Sequence, residues 1–171
     1  MTLALTGIGI ATTRTVAIGA VALLQRGPIR VNPRTVDRGQ LGQEVHRLRT
    51  AVARAGRQLL ATRERIPPNT PPDIAEFIDA HLLMLEDRTL FDAAEELIRD
   101  EGCAAEWALQ QRRDTLVHVF DAMADPYLRT RRDDLDHVVT RVQKILLEEE
   151  EEAPADLQGR VILAVDLTPA D

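Results

Sequence analysis

Leu41, Val45, Leu48, Val52, Ala55 and Leu59 recur at alternating steps of four and three residues. That spacing draws one apolar seam along a single helix, predicted from about Thr35 to Arg65 and roughly 45 Å long at 1.5 Å per residue. A seam needs a partner, so the segment commits the chain to helix-on-helix packing. Pro67-Pro68-Asn69-Thr70-Pro71-Pro72 stops the helix. Thr70, followed by Pro71 and Asp73, resembles a capping box with proline at the first helical position. The second helix turns Ile74, Phe77, Ile78, Leu82 and Leu85 inward, and Glu86-Asp87 marks a kink or restart before Leu90, Leu97 and Ile98. Gly102 ends it. A third helix carries Trp107, Leu116, Val119, Phe120 and Met123, and Asp125-Pro126 makes a turn. The fourth carries Leu135, Val138, Val142 and Ile145.

The flanks have a different texture. Val16 to Leu24 is β-branched and glycine-spaced and reads as a strand ending at Gly27-Pro28. Arg160 to Asp166, introduced by Gly159, reads as a short buried strand. Two strands are too few for an independent sheet, so the rest of that sheet is expected outside these residues. The expected fold is mainly α: a four-helix subdomain of two helical hairpins, inserted between two short β-rich pieces of an incomplete α/β subdomain. Its divisions are an amino-terminal strand region over 1–33, the helical subdomain over 34–147, and an acidic linker with the return strand over 148–171. Glu148 to Glu152 belong to that linker, because consecutive like charges point all round a helix and repel.

A chain of 171 residues folds without staples, and the one cysteine, Cys103, suits a reducing compartment. Aromatic residues make up 3%, so the core must be aliphatic. No apolar run approaches the roughly 20 residues of a membrane span, and Met1 to Gly9 lacks the basic region of a secretory signal. A cytoplasmic location is expected. The net charge of −7 argues against nucleic acid or an anionic membrane as partner. That mean hides a division. Arg34 to Arg65 holds eight arginines against Asp37, Glu44 and Glu64, a net of +5. Pro71 to Gly102 holds ten carboxylates against Arg88 and Arg99, a net of −8. Either an acidic helix lies beside a basic one, or an acidic face steers a basic protein towards it.

Nothing in the chain composes an active site. His46 and His118 have no metal ligand at a convincing spacing, and His137 beside Asp133, Asp134 and Asp136 is most simply a surface residue. His81 stands between Asp79 and Glu86-Asp87 among Leu82, Leu83, Met84 and Leu85. Gly7-Ile8-Gly9 lacks the third glycine of a dinucleotide fingerprint, and no P-loop, nucleophile elbow or HExxH occurs. What the helices offer is an acidic and apolar surface at Asp79, Leu83, Met84 and Asp87.

Four motifs in order point to a family: Ala80-His-Leu-Leu-Met-Leu-Glu-Asp87, then Asp125-Pro-Tyr-Leu128, then Arg131 with Asp134 and Arg141, then Asp166-Leu-Thr-Pro-Ala-Asp171. Together they resemble the amino-terminal region of Enzyme I, the phosphoenolpyruvate–protein phosphotransferase of bacterial phosphotransferase systems. The resemblance implies a helical subdomain that docks the small histidine-containing phosphocarrier protein. It maps the docking positions onto Asp79, His81, Leu83, Met84, Asp87 and Arg131, the last near the carrier's phosphohistidine. It places the enzyme's own phosphorylated histidine and its Mg²⁺-dependent phosphoenolpyruvate site beyond Asp171. It therefore implies no catalytic residue, metal or cofactor within these residues, and a parent enzyme that is a homodimer through its carboxy-terminal domain. The family's Pro-Gly turn is Arg14-Thr15 here, its Arg-Asp pair near the fourth helix is Asp136-His137, and one acidic docking position is Thr89.

Two other readings stand beside this one. The chain could be a free-standing four-helix histidine phosphotransfer module with His81 as phosphoacceptor, or a purely structural adaptor. The usual lysine and glycine after a phosphotransfer histidine are absent, since Met84, Leu85 and Glu86 follow it.

Overall fold

The computed structural model describes residues 18–24, 29–122, 126–148 and 159–164, and the chain divides into two units. One unit holds β1 (Ala20–Leu24) and β2 (Arg160–Ala164), paired in parallel with Ala20 opposite Arg160 and Leu24 opposite Ala164. Parallel neighbours cannot be joined by a hairpin and need a long crossover. Here the helical unit is that crossover. A side chain at Gly19 would crowd the second strand, because a Cβ there would meet the Gly159 carbonyl oxygen at 3.0 Å. The buried-strand reading of 160–166 does not hold as stated, because Ile162 and Leu163 are exposed, as is Val21. Among the described residues no second layer covers the faces of the two paired strands. Residues 16, 17, 165 and 166 of the expected strands lie outside the described residues.

The other unit holds five helices among the described residues: α1 (Leu41–Arg65), α2 (Pro72–Glu86), α3 (Arg88–Glu101), α4 (Ala105–Asp121) and α5 (Pro126–Leu146). Four were expected. The extra one arises because the expected restart at Asp87 is a full break. The Asp87 N–H closes α2 on the Leu83 carbonyl, its backbone turns extended, and its carboxylate accepts the Thr89 N–H to open α3. Aspartate is among the best residues for that task.

Two other boundaries differ from expectation. The Thr70 capping box does not form; α2 starts at Pro72 after an extended Pro71. A residue preceding proline is pushed out of the helical region, so Pro71 cannot be the first helical residue. Instead the Thr70 N–H donates to the Pro67 carbonyl. Likewise α1 starts at Leu41, not near Thr35, after a short 3₁₀ turn over Arg38–Gln40. Residues 34–36 are extended because the Val36 N–H donates to Gly102 O and the Ala104 N–H to Arg34 O, at 2.7 and 2.8 Å. Gly102 sits in the left-handed region at φ 64°, the conformation that ends α3 and turns the chain into this pairing.

The core follows the seam. Val45, Leu48, Ala55 and Leu59 are buried, joined by Ala51, while Leu41 and Val52 are half-buried at its rim. α1 lies against all four other helices, α3 packs on α4, α4 on α5, and α2 on α5. Ile78, Ile98, Leu109, Val138, Val139 and Val142 are fully enclosed. Ala94, Ala105 and Ala108 are enclosed too, and small side chains let helix axes come close. Val119, expected inward, is exposed, and Ala108, Leu109 and Val117 take the buried positions of α4. Met123 lies outside the described residues.

Charge is buried at one end of this unit. Arg47 donates to both Glu44 oxygens, to Glu106 at 3.0 Å and to the Leu146 carbonyl at 2.9 Å. Glu44 also accepts the Ala105 N–H, and Arg34 reaches both glutamates. Burial alone would raise the Glu44 pKa, but the Ala105 N–H and Arg47 outweigh it and hold the carboxyl below its usual range. The cluster ties α1, the start of α4 and the end of α5 together with every oxygen engaged, which is what makes buried charge tolerable.

Candidate docking surface

Glu76, Asp79, Leu83, Glu86 and Asp87 recur at helical spacing, so α2 presents them along one outer ridge. Leu83 is 67% exposed, unusual for a leucine within a packed helix. Asp79 is held by Arg63 of α1 through two hydrogen bonds, at 2.9 and 3.3 Å. Asp87 is exposed and stays ionised below the usual carboxylate range, chiefly because the Thr89 N–H donates to it.

Beside the ridge a cavity of about 410 Å³ opens between α2, α3, α4 and α5. Leu90, Leu116, Phe120, Leu135 and Val138 make its lining mainly apolar, and Met84, Asp87, Thr89, Arg112 and Arg131 also line it. Three of the six mapped residues, Met84, Asp87 and Arg131, thus meet at one concavity although 47 positions separate the first from the last. Arg131 Nη1 lies 3.6 Å from Asp134 on its own helix. Arg112 carries no signal in the sequence; one more arginine in a helix of mixed charge marks nothing until the fold sets it in the lining of the cavity that Arg131 also lines.

His81 is not on this surface. Two positions beyond Asp79 it lies about 200° round the helix, and the residue is 3% exposed. Its ring packs on Phe77, with centroids 4.1 Å apart, and edge-on to His137 at 5.9 Å. Its Nε2 has no hydrogen-bond partner and stands 3.7 Å from Asp134 Oδ1. Burial pushes the imidazole pKa down, with His137 and Arg141 adding to this and Asp134 opposing it, so the ring is neutral at neutral pH. His137 is correspondingly no simple surface residue, since it is half-buried against His81 and Phe77. An enclosed imidazole cannot accept phosphate from a partner protein, so the phosphotransfer-module alternative is not favoured. Among the described residues no group of three His, Cys, Asp or Glu side chains is placed to hold a metal ion, and no helix is long and apolar enough to cross a membrane.

The family model described as PEP-utilising enzyme, N-terminal, matches residues 8–131. The chain belongs to this family. It is 36% identical to a phosphoenolpyruvate-protein phosphotransferase of Cupriavidus necator, over 95% of this chain and 30% of that protein. A protein of the same description from Geobacillus stearothermophilus is 33% identical, over 95% of this chain and 28% of its own length. The chain therefore spans about three tenths of the curated relatives it matches. A solution structure of an Enzyme I protein superposes with a TM-score of 0.74 at 25% identity, covering 91% of this chain and 63% of that one. The mainly helical unit inserted between two strands is thus the fold of an Enzyme I amino-terminal region.

Proposed function

We propose that the helical unit is the docking part of a phosphoenolpyruvate–protein phosphotransferase and receives the histidine-containing phosphocarrier protein. The observation that carries this reading is the exposed Leu83 ridge running into the cavity where Met84, Asp87 and Arg131 meet. Leu83 and Met84 offer an apolar contact, Asp79 and Asp87 face basic residues of the carrier, and Arg131 lies where a guanidinium can hold phosphate through two hydrogen bonds. His81 supports the ridge from beneath instead of touching the carrier. In this reading residues 34–147 form the docking subdomain, and residues 1–33 and 148–171 belong to an α/β subdomain. The acceptor histidine, the Mg²⁺-assisted phosphoenolpyruvate chemistry and homodimerisation belong to the rest of a cytoplasmic parent enzyme. Docking contributes what phosphoryl transfer between proteins needs most, which is positioning.

The test is an NMR titration of the isotope-labelled chain with a histidine carrier protein of the same organism. Shifts confined to α2 and the surroundings of Arg131, saturating at micromolar carrier, are expected. Leu83→Asp should weaken binding at least about tenfold, as removal of a central apolar anchor does, with helicity intact. An unchanged affinity would place the surface elsewhere.

A further inference from the structure

Arg112 of α4 lines the same cavity as Arg131, yet among the described residues its guanidinium makes no hydrogen bond or ion pair. It is half-buried in a largely apolar wall. Its neighbour Arg113 shows the usual solution, with both Asp136 oxygens and Asp114 engaged at 2.8 to 2.9 Å. Arg47 and Arg49 are likewise held by glutamates. A cation drawn partly out of water without an anion is costly. The carboxylate in the lining, Asp87, is committed to the Thr89 N–H and the start of α3.

We propose that Arg112 and Arg131 together form a clamp for a phosphoryl group, and that its source is the phosphohistidine of the docked carrier. This rests on the docking reading above and adds Arg112, which that reading does not use. The donor count favours phosphoryl over carboxylate: one guanidinium fork satisfies the two oxygens of a carboxylate, whereas a phosphoryl group brings three oxygens and a charge near −2. The two guanidinium charges together outweigh the single negative charge that Asp87 brings to the cavity. Apolar contact at Leu83 and Met84 binds either form of the carrier, and the paired guanidinium groups distinguish the phosphorylated form from the free one. Arg112 is on this account a specificity residue.

The experiment compares the affinity of the chain for phosphorylated and unphosphorylated carrier, at a mildly alkaline pH that preserves phosphohistidine. Arg112→Gln should weaken binding of the phosphorylated form about tenfold or more and leave the other form within about twofold. Arg112→Lys, which keeps the charge but not the fork, should recover part of the loss and guards against a folding defect in the glutamine variant. Equal losses for both forms, or none, would overturn the clamp while the Leu83→Asp result still stands for docking. If neither form binds the unaltered chain, the docking reading itself fails, and the clamp with it. Inorganic phosphate is the remaining arm. If it alone moves the Arg112 Nε–H resonance as far as phosphorylated carrier does, the site is one for free phosphate and the carrier is not its source.

Discussion

A buried imidazole without a hydrogen bond at Nε2 makes His81 the residue whose protonation the fold resists most plainly. Burial outweighs the pull of Asp134, so the folded pKa lies below the 6.5 of a free histidine. The unfolded chain then takes up the proton more readily than the folded one, and stability must rise with pH wherever that difference exists. The contribution is complete above about pH 6.5 and is lost as pH falls through the folded value. Glu44 and Glu95, both held below 4.5 with arginine partners, lose theirs only at more acidic pH. Between pH 7 and about 5.5 the slope of stability against pH should therefore belong mainly to His81. Denaturant melts across that window should show it, and His81→Asn should flatten it whatever it does to absolute stability. The same slope in the variant would assign the loss to another group.

Asp87 joins two elements with one side chain, and its roles can be separated. As a cap it needs only an oxygen that accepts the Thr89 N–H, which asparagine also provides; as a docking group it needs the charge. Asp87→Ala should cost about 1 kcal/mol of stability in a denaturant melt, and Asp87→Asn should restore most of it. Carrier affinity should fall in both variants. Recovery of affinity with asparagine would reduce the charge to an incidental feature of the cap. At this scale the sequence was readable where elements are determined locally. The α1 seam follows from the spacing of residues along its own helix, and the Asp87 break and the Gly102 stop from residues within about one turn of each. The extended stretch at 34–36 was not, because it is held by carbonyl and amide groups of residues 102–104, whose proximity no local pattern encodes. His81 is placed among the docking positions by the family resemblance, not by the local pattern, and the structure buries it. The cavity was hidden altogether, since four helices contribute its walls.

Across the whole chain, the basic and acidic segments do lie side by side: Arg49 binds Glu95 and Arg63 binds Asp79 between α1 and the α2–α3 pair. That packing accounts for only part of the acidic excess. Asp73, Glu76, Glu86, Asp87, Glu96, Asp100 and Glu101 are exposed and make no ion pair among the described residues. Pairing within the fold therefore leaves a surplus of negative charge, and part of it, Glu76, Glu86 and Asp87, lies along the ridge that carries Leu83. Exposed carboxylates act through solvent, and salt shortens their reach from about 10 Å at 0.1 M to about 3 Å at 1 M. Apolar contacts at Leu83 and Met84 are not weakened in this way. Raising salt should thus slow association with the carrier and weaken binding while leaving the dissociation rate nearly constant, because charge steers encounter more than it holds a formed complex. Stopped-flow association measured from low to high salt would show this. An association rate indifferent to salt would mean that the acidic surplus faces away from the partner, and that docking depends on the apolar ridge and the cavity alone.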